Sequence, residues 1–314
     1  MNPLTGLYGG ATALRNTLFD RGMLRTRRLE KPVVSVGNLS AGGSGKTPFV
    51  IALGVLLKER GISFDVLSRG YRRQTRGVLV VEPDGSAADF GDEPVLIARC
   101  LGVPVVVGES RYQAGRVAEQ KFQSQLHLLD DGFQHRSLAR DFDIVLLATG
   151  DLEDRLLPSG RLREPASALR RADAIVVPQD LTAGSSTLRG KPVWRMHRET
   201  ELRHLLTRPV VFCGIAKPEQ FFAQMRAAGI TPAAETAFPD HHPYRQRDVD
   251  RLAARQRDLG ADGFVTTEKD QVNLGTLSSQ LTPLSIATLR LTIDRPADLV
   301  DTILSRIAER KPSS

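Results

Sequence analysis

The fold is decided by residues 33–49, VVSVGNLSAGGSGKTPF, in which a short apolar run leads through a glycine-rich turn to Gly45, Lys46 and Thr47. Glycines in such a turn let several backbone N–H groups converge on phosphate oxygens, and a following helix N-terminus adds its positive dipole end. In this pattern the lysine binds the β- and γ-phosphates and the threonine hydroxyl binds Mg²⁺. The stretch therefore predicts a strand, a phosphate-binding loop and a helix.

The loop is a variant of the GxxxxGK[ST] pattern, because Ser40 stands where the pattern has glycine. A chance glycine-rich turn before a helix is the alternative interpretation. No NKxD motif for guanine is present, since residues 267–270 read TEKD, so the sequence favours ATP over GTP. The predicted nucleotide-binding residues are Gly42, Gly43, Ser44, Gly45, Lys46 and Thr47.

Short runs of Val, Ile and Leu alternate with segments of helical periodicity along the rest of the chain. Strands that alternate with helices form right-handed βαβ units and a parallel sheet. The sequence therefore predicts an α/β fold, with a P-loop NTPase-like parallel sheet flanked by helices and a second, smaller α/β domain. A final helix is expected over 303–314, ending at Lys311 and Pro312. The predicted strands lie at 32–36, 64–67, 103–107, 126–129, 144–147, 174–177, 193–196, 210–213, 263–266 and 284–292.

The composition is that of a globular protein with one large or two medium domains: 314 residues, 41% apolar and 25% charged. The net charge of +7 favours anionic partners, which include nucleic acid, phosphorylated metabolites and acidic membranes. Aromatic residues make up only 5% of the chain and provide few stacking platforms for single-stranded nucleic acid. Two isolated cysteines, Cys100 and Cys213, argue against a disulfide framework or a zinc site.

The first 31 residues combine an apolar stripe with six basic and two acidic residues. An amphipathic helix at a membrane interface has this pattern, because each Lys or Arg near an anionic leaflet contributes about 1 kcal/mol. A first helix docked on its own domain has it too. No stretch approaches the roughly 20 apolar residues that span a bilayer. The apolar positions at helical spacing are Leu4, Leu7, Tyr8, Ala11, Leu14 and Leu18.

Asp130 and Asp131 follow the apolar run at 126–129 and precede Gly132. In open α/β sheets, ligands collect at the carboxyl ends of strands, and a nucleotide site needs an acid there to hold its metal. An Asp-Gly turn is the alternative interpretation. Together with the phosphate-binding loop, the pair predicts a metal-binding edge of the sheet.

Seven motifs run in order along most of the chain: VGNLSAGGSGKTP (36–48), SRGYRR (68–73), GDEP (91–94), LLDDGFQH (128–135), LREP (162–165), FPDHHPY (238–244) and TTEKD (266–270). Together they resemble the tetraacyldisaccharide 4′-kinase family of lipid A biosynthesis. The resemblance implies transfer of the ATP γ-phosphate to the 4′-hydroxyl of an acylated glucosamine disaccharide 1-phosphate, giving lipid IVA. It also implies Mg²⁺ as cofactor and peripheral attachment to the cytoplasmic face of the inner membrane of a Gram-negative bacterium.

The domains expected on this basis are a membrane-associating segment (1–31), a P-loop kinase domain (32–207) and a smaller C-terminal α/β domain (208–314). We expect no nucleic acid and no obligate protein partner. Two other classes stay open: a nucleotide-switched, membrane-associated P-loop ATPase and a nonenzymatic basic module that binds membranes.

The resemblance assigns catalysis to Asp92 of GDEP, supported by His241 of the DHH string. A carboxylate suits this role, because it accepts the proton of the acceptor hydroxyl while the bond to phosphorus forms. Helix capping is the alternative role for Asp92, and His242 is the alternative partner. Because Asp92 and His241 fall in different predicted domains, their contact requires a closed cleft.

The resemblance also implies ligand-binding residues. Guanidinium groups match phosphate oxygens bidentately, although a solvated basic face is the ordinary explanation of such clusters. The chain departs from the family at Asn273, where lysine is more common, so no role is assigned there. The implied Mg²⁺ ligands are Thr47, Asp130, Asp131 and Glu164. The implied substrate-binding residues are Arg69, Arg72, Arg73, Arg111, Gln134 and His135.

Overall fold

The computed structural model describes residues 3–43, 45–181, 188, 190–202 and 206–309. Ser44 and the predicted helix end at Lys311 and Pro312 lie outside the described residues. Within them, twelve strands form one sheet in the order β10-β9-β11-β12-β8-β7-β6-β1-β5-β2-β4-β3.

The strands are β1 (Val33–Asn38), β2 (Phe64–Ser68), β3 (Leu79–Val80), β4 (Val105–Val107), β5 (Leu126–Asp130), β6 (Phe142–Leu146), β7 (Ala174–Pro178), β8 (Val193–Leu202), β9 (Val210–Cys213), β10 (Ala234–Ala237), β11 (Phe264–Thr267) and β12 (Leu284–Ile293). The α-helices are α1 (Pro3–Asp20), α2 (Lys46–Glu59), α3 (Ala87–Phe90), α4 (Asp92–Leu101), α5 (Arg111–Lys121), α6 (Pro218–Ala227), α7 (Gln246–Leu259), α8 (Glu268–Leu274) and α9 (Pro296–Glu309). Further segments, Ala166–Arg171 and Gly275–Gln280, are 3₁₀ helices.

The first half of the sheet comprises β1 to β7, and the second half comprises β8 to β12. β1 is an inner strand of the first half and is buried along its whole length. It pairs in parallel with β5 on one side and with β6 on the other. A parallel strand that is covered on both faces has apolar side chains on both faces, so its sequence is a continuous apolar run. Residues 33–36 accordingly contain three valines. The carboxyl ends of β1 and β5 therefore meet at one edge of the sheet, where ligands bind in such folds.

The predicted α/β class is confirmed, and each of the ten predicted strands is present. The sequence analysis missed β3 and β10, which are short edge strands and lack long apolar runs. The strand expected to stop at residue 196 continues to Leu202, because β8 pairs antiparallel with β12 over seven residue pairs. The final helix begins at Pro296 rather than at residue 303, and proline suits the first turn of a helix.

Helices cover both faces of the first half of the sheet. On one face α2, α4 and α9 share a single core, in which Leu53 of α2 and Leu299 of α9 are completely buried. On the other face α5 packs against β1, β2, β4 and β5. The C-terminal helix α9 therefore returns to the half of the sheet that carries the phosphate-binding loop.

α1 lies on the surface and contains no buried residue. The Tyr8 hydroxyl donates to the Arg163 carbonyl (3.0 Å), and Asn16 Nδ2 donates to Glu164 Oε2 (3.0 Å). The side turned away from the body presents leucines, and Leu7 is 72% exposed. In the described part of the chain, no helix is long and apolar enough to cross a membrane.

The close approach of β1 to Phe133 gives a test of this packing. A Cβ added at Gly37 would lie 2.5 Å from the Phe133 Cβ and 2.8 Å from its backbone nitrogen. We expect Gly37→Ala to lower the free energy of unfolding by about 1–3 kcal/mol, as overpacked core positions do. Urea unfolding measures this change. Gly10→Ala is the control, since a Cβ on α1 there has no neighbour within 4 Å. Unfolding of Gly37→Ala at the wild-type urea midpoint would contradict the packing.

Candidate active site

The phosphate-binding loop connects β1 to α2 at the carboxyl edge of the sheet. Gly42 has φ +100° and Gly45 has φ +83°, which only glycine adopts easily. Gly45 is the N-cap of α2 and makes no side-chain capping hydrogen bond. The first N–H groups of α2 are therefore available to an anion, whose charge the helix dipole favours.

Ser40, the departure from the loop pattern, holds the base of this turn. Its hydroxyl donates to Asp151 Oδ2 (3.1 Å), and both side chains are buried. Asp151 also accepts the Ala148 backbone N–H (2.8 Å). A hydroxyl at this position therefore replaces the glycine by tying the loop to the segment that follows β6.

Two side chains hold the ammonium group of Lys46 in place. Its Nζ donates to Asn38 Oδ1 (3.0 Å) and lies 3.4 Å from Asp131 Oδ1. Arg163 also donates to Asp131 Oδ2 (2.9 Å). Burial raises the pKa of Asp131, but the charges of Lys46 and Arg163 outweigh it and bring the pKa below its ordinary value. Asp131 is therefore ionised and keeps two cations at the mouth of the loop.

Two further carboxylates in this region have oxygens that accept no hydrogen bond from any residue the structure describes. Asp130 Oδ2 accepts from the Ser68 hydroxyl (3.1 Å), while its Oδ1 is buried and unsatisfied. Burial, assisted by the charges of Glu93 and Asp131, raises the pKa of Asp130 to about 7. Glu164 is 1% exposed and its Oε1 is likewise unsatisfied.

These carboxylates fit Mg²⁺, a hard cation that binds oxygen ligands. Across the residues that the structure describes, no group of three or more His, Cys, Asp or Glu side chains can hold a metal ion alone. This agrees with the usual Mg²⁺ site in nucleotide enzymes, where one or two carboxylates and the phosphates share the ion. The unsatisfied oxygens of Asp130 and Glu164, with Asp131 and the buried Thr47, are the donors available.

Asp92 and His241 are in direct contact. His241 Nδ1 lies 2.8 Å from Asp92 Oδ2 and 3.0 Å from Oδ1. Asp92 begins α4, and its Oδ1 also accepts the backbone N–H of Glu93 (2.9 Å). The neighbouring His242 instead contacts Asp248 (3.0 Å). In this structure, then, the first histidine of the DHH string is the one that contacts Asp92.

Two residues of α8 complete this cluster, and the sequence analysis gave neither a role. Asn273 Nδ2 donates to Asp92 Oδ2 (3.0 Å), and Lys269 Nζ lies 3.2 Å from His241 Nε2. They are four residues apart and so share one face of the helix. Lys269 belongs to the TTEKD motif, and this motif was the sequence feature from which a role for Lys269 could have been predicted. For Asn273, the sequence held no signal beyond a departure from the family pattern, and its contact with Asp92 comes from tertiary packing.

The partners define the protonation of this cluster. An ionised Asp92 only accepts hydrogen bonds and a charged Lys269 only donates, so these contacts fit the His241 tautomer that carries its proton on Nδ1. Burial raises the pKa of Asp92, but the hydrogen bond from His241 and the charge of Lys269 outweigh it, and the pKa lies below its ordinary value. Burial lowers the pKa of Lys269, but Asp92 and Glu93 outweigh it and raise that pKa.

Backbone strain is concentrated here. Among the described residues other than glycine, φ is positive at Arg72 (60°), Asp131 (50°), His241 (58°) and Arg295 (46°), and the first three lie at the site. Such conformations cost of order 1–3 kcal/mol each and persist where the surroundings enforce them. Arg72 donates to the carbonyl of Asp240, directly before His241.

Two of the predicted substrate-binding arginines, Arg73 and Arg111, have different surroundings. Arg73 is tied into its own loop by an ion pair with Glu109 (2.9 Å). Arg111 is 6% exposed, and its Nε is buried without a hydrogen-bond partner. Burial, with the charge of the exposed Arg69, lowers the pKa of Arg111, whereas Asp131 and Asp130 oppose this change. Arg111 is therefore a desolvated cation beside the carboxylates of the site.

Gln134 and His135 follow the paired aspartates and are fixed by short-range contacts. Gln134 Nε2 donates to the Asn38 carbonyl (2.8 Å), which links this turn to β1. His135 Nε2 lies 3.0 Å from the Ser137 hydroxyl. Burial, with the nearby charges of Arg111 and Arg140, lowers the pKa of His135 to about 4, so its ring is neutral at pH 7.

A cavity of about 970 Å³ opens onto the Asp92–His241 pair. Its walls include Tyr71 and Arg72 from the first half of the chain and Asn273 from α8. The described residues of the phosphate-binding loop, 40–43 and 45–47, do not line it. A molecule in this cavity therefore approaches Asp92 without passing over the loop.

Comparison with known proteins gives a consistent result. Residues 1–308 match the family described as tetraacyldisaccharide-1-P 4′-kinase (LpxK). A tetraacyldisaccharide 4′-kinase of Koribacter versatilis is 48% identical over 321 residues, covering 99% of both chains. One from Geobacter metallireducens is 39% identical, covering 93% of both. The crystal structure of LpxK from Aquifex aeolicus, described as an "apo" form in complex with ATP, is 36% identical with a TM-score of 0.81, covering 97% of this chain and 98% of that one.

The Asp92–His241 contact makes a prediction about titration. Removing the hydrogen bond from His241 disfavours the ionised carboxylate, so in His241→Ala we expect the pKa of Asp92 to rise above its wild-type value. The carboxyl ¹³C resonance, assigned with Asp92→Asn, measures this shift between about pH 2 and pH 7. His242→Ala is the matched control and leaves the titration unchanged. An unaltered Asp92 titration in His241→Ala would contradict the contact.

Proposed function

The chain belongs to the tetraacyldisaccharide-1-P 4′-kinase family, and from this premise we propose how its own residues carry out the reaction. The reaction transfers the γ-phosphate of ATP to the 4′-hydroxyl of a tetraacyldisaccharide 1-phosphate. Family membership supports this activity over a nucleotide-switched ATPase. The observation that carries the mechanism is the buried Asp92–His241 pair, which faces a cavity of about 970 Å³.

The loop binds the donor. Backbone N–H groups of residues 42–47 bind the β- and γ-phosphates together with the ammonium of Lys46, which Asn38 and Asp131 hold in position. Mg²⁺, when bound, neutralises charge on the phosphate oxygens. Thr47, Asp130, Asp131 and Glu164 would hold it. The unsatisfied oxygens of Asp130 and Glu164 support this assignment.

Asp92 receives the proton of the acceptor. As the 4′-oxygen forms its bond to the γ-phosphorus, the bond from phosphorus to the β–γ bridging oxygen breaks, and the hydroxyl proton passes to Asp92. The lowered pKa keeps Asp92 ionised at neutral pH. A weak base suits phosphoryl transfer, because the loose transition state needs little proton removal before the P–O bond breaks. His241, Lys269 and Asn273 orient the carboxylate.

The other polar residues that line this region recognise anionic groups of the two substrates. Arg111 is best supported, since its buried guanidinium lies near Asp130 and Asp131 and keeps one N–H unsatisfied. The proposed set is Arg69, Arg72, Arg73, Arg111, Gln134 and His135.

The lipid acceptor lies in a membrane, and α1 supplies the means of reaching it. Leu4, Leu7 and Leu14 are 59%, 72% and 61% exposed and point away from the body of the protein. Asn16 on the opposite side contacts Glu164, so α1 is fixed directly to the proposed metal site. We infer peripheral attachment to the anionic cytoplasmic face of the inner membrane.

Residues 1–31, 32–207 and 208–314 then act as membrane segment, P-loop kinase domain and smaller C-terminal domain. The C-terminal domain supplies His241, Lys269 and Asn273, while α9 returns to pack on the kinase domain.

Asp92→Asn tests the mechanism. With labelled ATP and a detergent-dispersed acylated disaccharide 1-phosphate, we expect the rate of lipid labelling to fall by about 10²- to 10⁴-fold, as loss of a general base does. The affinity for ATP stays near wild type. Asp258→Asn, an exposed position on α7, is the matched control. Normal lipid labelling by Asp92→Asn would exclude the proposed base, and wild-type protein that releases only free phosphate would indicate a switch ATPase.

Replacing Leu4, Leu7 and Leu14 together with Asn tests the membrane segment. Since burying a leucine contributes about 1.5–3 kcal/mol, we expect binding to anionic vesicles, measured by sedimentation, to fall at least about tenfold. Affinity for ATP is unchanged. Val55→Asn, which alters a 42% exposed apolar side chain on α2, serves as the control. Equal sedimentation of the triple variant and the wild type would refute attachment through α1.

A further inference from the structure

The guanidinium group of Arg198, on β8, lies next to the phosphate-binding loop. Along β8, alternate side chains point to the same face of the sheet. Trp194 and Met196 on this face are 2% exposed and belong to the main core. The next residue on the face is Arg198, opposite Leu291 of β12, which packs against the same core. A strand face that is apolar up to this point thus ends in a guanidinium.

Arg198 lies against the loop at Gly45. A Cβ built on Gly45 would be 2.3 Å from Arg198 Nη2, 2.8 Å from Cζ and 3.2 Å from Nε. The guanidinium thus occupies the space that a side chain at position 45 would take. Gly45 is the N-cap of α2 in the left-handed conformation, where the loop turns towards the helix. Absence of a side chain at Gly45 therefore serves both the turn and the approach of Arg198.

The electrostatics of this position favour an anion. Burial lowers the pKa of Arg198, so the surroundings make the charged form costly. A guanidinium nevertheless stays charged in proteins. A phosphate group offsets that cost, because Arg binds phosphate through two parallel N–H···O bonds. The nearby N-terminus of α2 attracts the same ligand.

We propose that Arg198 is a phosphate-binding residue of the nucleotide site. Its guanidinium donates to oxygens of the terminal phosphates of the nucleotide that residues 42–47 hold, and it neutralises charge on them during transfer. The proposal deepens the proposed function and rests on it only for the identity of the nucleotide. Strands β8 and β12 form an antiparallel ribbon where the second half of the sheet adjoins the first. Because Arg198 lies on β8, the proposed site includes a side chain from this ribbon.

Sequence patterns alone do not indicate this role for Arg198. The apolar run predicts a strand that ends at Met196, which leaves Arg198 outside it. Only the pairing of β8 with β12 extends the strand and reveals which face the arginine occupies.

The test uses Arg198→Met, which keeps the aliphatic packing and removes the charge, and Arg198→Lys. Binding of Mg·ATP and Mg·ADP is measured by calorimetry without lipid, and turnover with it. We expect Arg198→Met to raise the Kd for ATP about 10- to 100-fold, the loss typical of a charge-assisted hydrogen bond. Turnover falls on the order of 10³-fold, as for other arginines that act on transferred phosphate. Arg198→Lys recovers affinity more than turnover, since it restores a point charge without the bidentate fork.

Arg290→Met is the matched control. Arg290 lies on β12 of the same ribbon, one residue out of step with the Arg198–Leu291 pair, and forms an ion pair with Glu201 (2.5 Å). Its replacement leaves nucleotide affinity and turnover unchanged. Wild-type affinity for ATP in Arg198→Met would overturn the proposal. That result is distinct from failure of the proposed function, which would appear as wild-type protein that binds ATP without phosphorylating lipid.

A measurement on the wild-type protein covers the case in which Arg198→Met does not fold. We expect Mg·ATP to shift the Nε–H resonance of Arg198 in a ¹H–¹⁵N spectrum, assigned with Arg198→Lys. An unshifted Arg198 resonance at saturating Mg·ATP would overturn the proposal.

Discussion

The structure depends on one electrostatic constraint. Cations and carboxylates are held close together at the carboxyl edge of β1, and some of their polar atoms must remain able to bind a ligand. Lys46 and Arg163 pair with Asp131. Asp130 and Glu164 keep one buried oxygen each without a hydrogen-bond partner. A triphosphate with its metal would supply the missing partners, because the phosphate oxygens would bind the cations and the carboxylates would hold the metal. The site is therefore arranged for a ligand that carries both signs of charge.

The two halves of the sheet meet at this edge. The first half contributes the phosphate-binding loop and Asp92, and the second contributes His241 with Lys269 and Asn273 of α8. The positive φ angles of Asp131 and His241 show that the backbone on each side is held in a costly conformation. Catalytic geometry therefore depends on contacts between the halves, and the paired strands β8 and β12 fix their relation.

Local sequence was sufficient for the elements whose signal is local. A buried parallel strand such as β1 is an apolar run, and the phosphate-binding loop is a spacing of glycines before Lys46. The contact of Asp92 with His241 was different, since 149 residues separate them and only the family resemblance indicated it. Lys269, Asn273 and Arg198 acquire their roles from tertiary packing of α8 and β8. Ser40 departs from the loop pattern, and its role depends on a hydrogen bond to Asp151, which is distant in sequence.

The most direct test of the account is a crystal structure with Mg²⁺ and a non-hydrolysable ATP analogue. The account predicts β- and γ-phosphates bound by the N–H groups of residues 42–47 and by Lys46, with the terminal phosphate facing Asp92. A nucleotide bound elsewhere, or a loop turned away from its phosphates, would contradict it.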